Sequence, residues 1–138
     1  MSTHLRDKVE QIQQILEQLA EESNCGKPIL VEGKKDAETL KTLGVTGKII
    51  FAKKGLKTLL DVISEIEKSN SNEVILMLDF DREGRELTEH LKIHVEKAGL
   101  KVNLYYWLKL SNLTGREIKD IEGLAKYLKT LKAKSRLQ

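Results

Sequence analysis

Val74-Ile75-Leu76-Met77-Leu78-Asp79-Phe80-Asp81-Arg82-Glu83-Gly84-Arg85 is the stretch that decides the fold. Five apolar residues run without a polar break and end abruptly on Asp-Phe-Asp. A short run that is apolar throughout suits a strand covered on both faces, as in a parallel sheet. Three more runs of this kind lie around it: Ile29-Leu30-Val31, Ile49-Ile50-Phe51 and Val102-Asn103-Leu104-Tyr105-Tyr106-Trp107. Helix-length segments separate them, at residues 36–43, 56–68 and 85–98. Strand–helix alternation of this sort predicts an α/β fold, with a parallel sheet built from right-handed βαβ units.

Outside this core, Leu5, Val9, Ile12, Leu16 and Leu19 recur at helical spacing and predict an amphipathic helix over about 3–22. Ser23-Asn24-Cys25-Gly26 stops it, with Pro28 beyond. Downstream, Thr114-Gly115-Arg116-Glu117 matches a capping box. Ile118, Ile121, Leu124 or Ala125, Leu128 and Leu131 then stripe a last helix, and residues 132–138 are expected to fray. The expected organisation is an N-terminal helix (1–26), an α/β core (27–110) and a C-terminal helix with a basic tail (111–138). No internal repeat or linker interrupts it.

At 138 residues the chain is one domain's worth of sequence. With 40% hydrophobic and 33% charged residues, neither disorder nor a membrane span fits the totals. No apolar signal-peptide core occurs, and the single Cys25 cannot form an internal disulfide. A cytoplasmic, soluble protein is expected. The net charge of +3 is unevenly spread: residues 27–57 and 109–138 each sum to +5, whereas 58–98 is acidic. Two basic blocks around an acidic middle suggest a polyanionic partner approached through a cation.

In a parallel sheet every strand delivers its C-terminal end to one rim, where ligands bind at the topological switch point. Glu32, Gly33, Lys34, Lys35 and Asp36 follow the first run, and Lys53, Lys54 and Gly55 the second. The third leads into Asp79 to Arg85, and Lys109, Ser111 and Asn112 follow the fourth. Asp79 and Asp81 are two apart, so extended backbone projects both to one side. Such a pair suits Mg²⁺, which takes one or two carboxylates, waters and phosphate oxygens. The same residues also read as a helix N-cap and a solvated acid. Glu32 closes an apolar strand and, if strands one and three are neighbours, faces the aspartates as a general acid or base. A dipole partner for the following helix is its other reading. Gly33, Gly55 and Gly84 sit where helices begin, and helix N-termini bind phosphate. Lys34, Lys35, Lys53, Lys54, Arg82 and Arg85 supply the charge for nucleic-acid phosphates.

Val31-Glu32-Gly33-Lys34-Lys35-Asp36 followed by Leu78-Asp79-Phe80-Asp81-Arg82-Glu83-Gly84 resembles the Toprim domain, over roughly residues 27–110. Type IA and type II topoisomerases, bacterial-type primases, recombination-repair proteins and 5S rRNA maturases share that domain. The resemblance implies a Rossmann-like, four-stranded, mainly parallel sheet flanked by helices, with added N- and C-terminal helices. It implies that Glu32 is the catalytic acid or base and that Asp79 and Asp81 hold Mg²⁺. The Asp-Arg-Glu-Gly run is closest to the type IA topoisomerase form, in which a third acid, here Glu83, joins the metal. His90 also falls at a histidine position of that form. His90 and His94 lie one turn apart, a zinc-like spacing, but His94 shares the stripe of Leu87, Leu91 and Ala98 and is expected at the core edge.

A topoisomerase's tyrosine domain and a primase's polymerase body find no room in this chain, and Tyr105 and Tyr106 fall in a predicted strand. The chain is similar to small stand-alone Toprim proteins, akin in their core to the 5S rRNA maturases. Lys119-Asp120-Ile121-Glu122-Gly123-Leu124 resembles the segment after the fourth strand in that group, where Asp120 and Glu122 are expected on a capped surface helix. Two functions follow from the resemblance. One is Mg²⁺-dependent phosphodiester cleavage of structured RNA. The other is a non-catalytic RNA-binding or scaffolding subunit using the same rim, within a protein complex that processes RNA or DNA.

Overall fold

The computed structural model describes residues 2–53, 55 and 57–136. Among these, four parallel strands and six helices follow in the order α1 (Ser2–Asn24), β1 (Ile29–Val31), α2 (Lys34–Thr42), β2 (Ile49–Phe51), α3 (Leu59–Lys68), β3 (Glu73–Leu76), α4 (Arg82–Lys97), β4 (Lys101–Asn103), α5 (Tyr105–Thr114) and α6 (Leu124–Arg136). The spatial order of the strands is β2-β1-β3-β4. Ile29 pairs with Ile49 on one side and with Ile75 on the other. The chain therefore reverses its direction of travel across the sheet between β1 and β3. That is the switch point.

Alternation along the strands divides the core in two. Ile29, Val31, Ile75 and Met77 face α1, α5 and α6, in a cluster with Ile12, Leu19, Leu110 and Leu128. Leu30, Ile50, Val74, Leu76 and Leu78 face α3 and α4, against Val62, Ile66, Leu91 and Val95. Pairing outlasts the assigned strand, because Met77 N–H still donates to the Leu30 carbonyl at 2.8 Å. Caps fix the helix starts on the rim side. Thr58 and Asp61 form a reciprocal box on α3, with bonds of 3.2 and 2.8 Å.

The fourth strand is shorter than its apolar run predicts. It ends at Asn103, whose Oδ1 accepts from Tyr105 N–H at 2.9 Å, a side-chain turn that starts α5. Tyr105, Tyr106 and Trp107 are therefore helical. The helix buries Tyr106, Trp107, Leu110 and Thr114 on one face, which an edge strand with a single neighbour cannot do. Tyr106 also reaches Glu22 at the end of α1 through its hydroxyl. Lys27 ties that carboxylate to Glu73, at 2.5 and 3.3 Å.

The last helix also begins later than expected. Thr114 ends α5, and its hydroxyl donates back to the Leu110 carbonyl at 2.7 Å instead of capping a new helix. Ile118 and Ile121 lie in the connection, and α6 starts at Leu124. Main-chain bonding holds this connection against the sheet: Phe80 N–H donates to the Lys119 carbonyl at 2.7 Å. The end expected to fray continues α6 through Arg136, with Ser135 buried, and residues 137–138 lie outside the described residues. On α4, Ala98 is exposed just beyond the helix, and the buried face runs through Thr88, Leu91 and Val95. His94 is half-buried beside it.

Candidate functional site

Glu32 lies one residue past β1, and Asp79 three residues past β3, on adjacent strands at the C-terminal edge of the sheet. An open cleft of ≈ 410 Å³ separates them. Glu32, Gly33, Lys34, Lys35, Asp36, Lys53 and Asp79 line it together with two acids expected on a surface helix, Asp120 and Glu122. A larger depression of ≈ 600 Å³ runs along the outer edge of β4. It holds no such convergence of acids and bases, so size does not locate the site here.

Local sequence explains each placement. Gly33 is the N-cap of α2 in extended backbone, and its N–H donates to Asp36 Oδ2 at 3.1 Å. That bond folds Asp36 back under the strand end, where it is 8% exposed. Asp81 is the N-cap of α4, its Oδ1 accepting from Gly84 N–H at 2.8 Å. Gly84 is buried because a Cβ there would stand 2.1 Å from the Asp79 carbonyl oxygen. Only glycine lets α4 start this close beneath Asp79. Trp107 Nε1–H donates to the Leu78 carbonyl at 2.9 Å and supports the same strand end from the opposite face.

The third anchor comes from the α5–α6 connection. Ile121 N–H donates to Asp79 Oδ1 at 3.2 Å. Asp120 Oδ1 accepts from Gly123 N–H at 2.7 Å, which bends the connection so that Asp120 and Glu122 face the cleft. The expected surface helix is absent at this point.

Crowding of carboxyls gives the cleft its electrostatic character. Burial pushes Asp79 up to about 7; the Ile121 N–H opposes the rise, while Asp36, Glu32 and Asp120 add to it. Burial likewise raises Glu32, with Lys53 opposing and Asp36 and Asp81 contributing. The Lys53 ammonium stands 3.9 Å from Glu32 Oε2. Asp36 is raised by burial, then by Asp120 and Glu122, against the Gly33 N–H. Glu32 Oε1 is buried and accepts no hydrogen bond. A buried acceptor without a donor, among acids whose pKa values are raised by burial and by one another, is a set of oxygen donors suited to a hard cation. Among the described residues, no three His, Cys, Asp or Glu side chains come together as a group that could hold a metal ion. The arrangement instead offers one or two carboxylates on an open rim.

The remaining expected residues lie around this cleft or away from it. Gly55 has a positive φ of 62° in the turn after β2. Lys54 falls outside the described residues. Glu83 is exposed in the first turn of α4. Arg82 is 91% exposed and pairs with Glu86 at 3.0 Å. Arg85 donates through Nε to the Phe80 carbonyl at 3.1 Å. The His90 and His94 rings lie 4.5 Å apart on α4. The resemblance over Lys119-Asp120-Ile121-Glu122-Gly123-Leu124 was the sequence signal for the connection, and it does not disclose the fold-back onto Asp79.

Comparison with known proteins agrees with this architecture. The model of the Toprim domain matches residues 27–107. A UPF0292 protein of Methanosarcina barkeri is 35% identical over 94% of this chain and 89% of its own length. Another, from Methanocaldococcus jannaschii, is 38% identical over 86% of this chain and 91% of its own. A solved structure from Aquifex aeolicus superimposes with a TM-score of 0.68 at 26% identity, covering 79% of this chain and 94% of that one. Among the described residues, no helix is long and apolar enough to cross a membrane.

Proposed function

The chain belongs to the Toprim family, whose members carry out metal-dependent processing of nucleic acids, and from that premise we propose that the β1–β3 cleft binds Mg²⁺ and cleaves phosphodiester bonds in structured RNA. The observation that carries this reading is the meeting of Glu32 and Asp79 at the switch point, with Glu32 Oε1 buried and unpaired and lysines on the same rim. The donors are all carboxylate oxygens, which fits Mg²⁺. Asp79 and Asp81 would hold it, with Glu83, exposed in the first turn of α4, as the third acid the family resemblance implies. Bound there, the ion would supply Lewis-acid neutralisation of the scissile phosphate.

The chain's own groups supply the rest. Lys53 favours the ionised form of Glu32, which takes a proton from the attacking water as its oxygen bonds to phosphorus. The bond to the leaving oxygen breaks, that oxygen takes a proton from solvent water, and Glu32 gives up its proton to solvent, so the carboxylate is regenerated. Lys34, Lys35 and Lys53 bind phosphates flanking the reacting one. The backbones of Gly33 and Gly55 lie beside these lysines, and Arg82 and Arg85 extend the positive charge along the start of α4, above the buried Gly84.

A binding or scaffolding role without cleavage is the second reading. It is favoured by the open rim, on which no three acids of the described residues enclose a common point. Labelled structured RNA, incubated with wild type and Glu32→Gln in Mg²⁺ or EDTA, separates the two on native and denaturing gels. Mg²⁺-dependent product that Glu32→Gln loses supports cleavage. Uncut RNA retarded alike by both proteins supports the binder.

A further inference from the structure

Among the described residues, helix α6 concentrates charge of a single sign. Between Leu124 and Arg136 it carries Lys126, Lys129, Lys132, Lys134 and Arg136 and no acid. The helices α1, α3 and α4 all mix signs. Lys126, Lys129, Lys134 and Arg136 are exposed. None of the five cations has an ion-pair partner among the described residues, although Glu10 and Glu17 of α1 line grooves shared with Lys132.

Two features say that this charge is more than a solvated face. Lys126 stands in the first turn, where the helix dipole disfavours a cation and where the helix has no acid. That turn also follows directly on Asp120 and Glu122, which line the cleft, so the start of α6 lies beside its rim. The apolar side is fully used in the core, through Leu124, Leu128 and Leu131. No large apolar residue is exposed on α6, which argues against a membrane surface as its partner.

We propose that α6 is a phosphate-tracking ridge: it binds the nucleic-acid backbone as it leaves the cleft, over the helix length of about 20 Å. The ridge rests on the reading of the cleft as a nucleic-acid site and extends its footprint. The cleft lining holds no aromatic side chain, so recognition here is of backbone charge and not of stacked bases.

The test compares two charge-matched triple variants, Lys126→Gln/Lys129→Gln/Lys134→Gln on the ridge and Lys68→Gln/Lys97→Gln/Lys101→Gln on the opposite rim. Each is made in the Glu32→Gln background, so that a labelled RNA hairpin stays intact in Mg²⁺. Binding is followed by anisotropy as salt is raised. The ridge variant should bind more weakly, with a log–log salt slope shallower by roughly 0.9 for each cation engaged, while the opposite-rim variant matches its parent. Equal losses in both variants, or an unchanged slope in the ridge variant, would overturn the ridge and leave the cleft standing. A parent that binds no RNA overturns the reading beneath it as well.

Discussion

Ile121 N–H donates to Asp79 Oδ1 at 3.2 Å, joining a strand-end acid to a connection 42 residues further along the chain. Ile121 lies beyond the Toprim match at 27–107. The acid at the centre of the cleft is thus oriented by a segment outside the matched core. That same segment brings Asp120 and Glu122 to the cleft.

Asp79 makes the metal-free protein sensitive to pH. Its folded-state pKa is raised from the ordinary 3.8 to about 7. A proton is therefore held more tightly in the fold than in the unfolded chain. The stability this contributes is complete below pH 3.8 and is lost as pH rises through about 7. In EDTA, Asp79→Asn should therefore melt progressively higher than wild type as the solution passes from acid to mildly alkaline. Thermal melts across that range check it, and a difference that does not change with pH would count against the buried carboxyl.

Gly84→Ala should disrupt both fold and site. The added Cβ would fall 2.1 Å from the Asp79 carbonyl oxygen, and backbone cannot yield cheaply. A loss of about 1–3 kcal/mol is expected, as for other overpacked positions, together with weaker Mg²⁺ binding. Denaturant unfolding measures the first and calorimetry the second. Wild-type stability in this variant would mean that α4 starts further from β3.

Trp107→Phe removes the donor to the Leu78 carbonyl, a buried bond of 2.9 Å next to Asp79. Leaving that carbonyl unpaired should cost about 1–3 kcal/mol. The cost should fall on stability first, since Trp107 touches no residue that lines the cleft by hydrogen bond. Urea melts of the variant provide the check.

Lys53→Ala should move the pH–rate profile. Lys53 favours the ionised form of Glu32 from 3.9 Å. Without it the pKa of Glu32 rises further, so the acid limb of the proposed RNA cleavage shifts to higher pH. Nucleic-acid affinity should also become less sensitive to salt, by up to about 0.9 in log–log slope. An acid limb that stays in place would remove Lys53 from the environment of the base.

The rim was legible in the sequence because apolar runs ended on charge at Glu32 and Asp79, and because parallel strands end on one side. Their meeting needed only β1 and β3 to be neighbours, which the strand order supplies. Tyr105-Tyr106-Trp107 misled because aromatics favour strands. The deciding residue was Asn103, whose side chain turns the backbone into α5. Asp36 was visible as a helix-start acid, but its burial depends on the Gly33 N–H that folds it inward. Asp120 and Glu122 carried no local sign of their place, since a main-chain bond from Phe80 to Lys119 puts them there.

The central claim is that the β1–β3 switch point is the cation site. Calorimetric titration of Mg²⁺ into wild type and Asp79→Asn/Asp81→Asn, at a pH above the Asp79 pKa of about 7, tests it most directly. Saturable binding by wild type that the folded double variant has lost is the result expected. Equal Mg²⁺ affinity in the two proteins would contradict it.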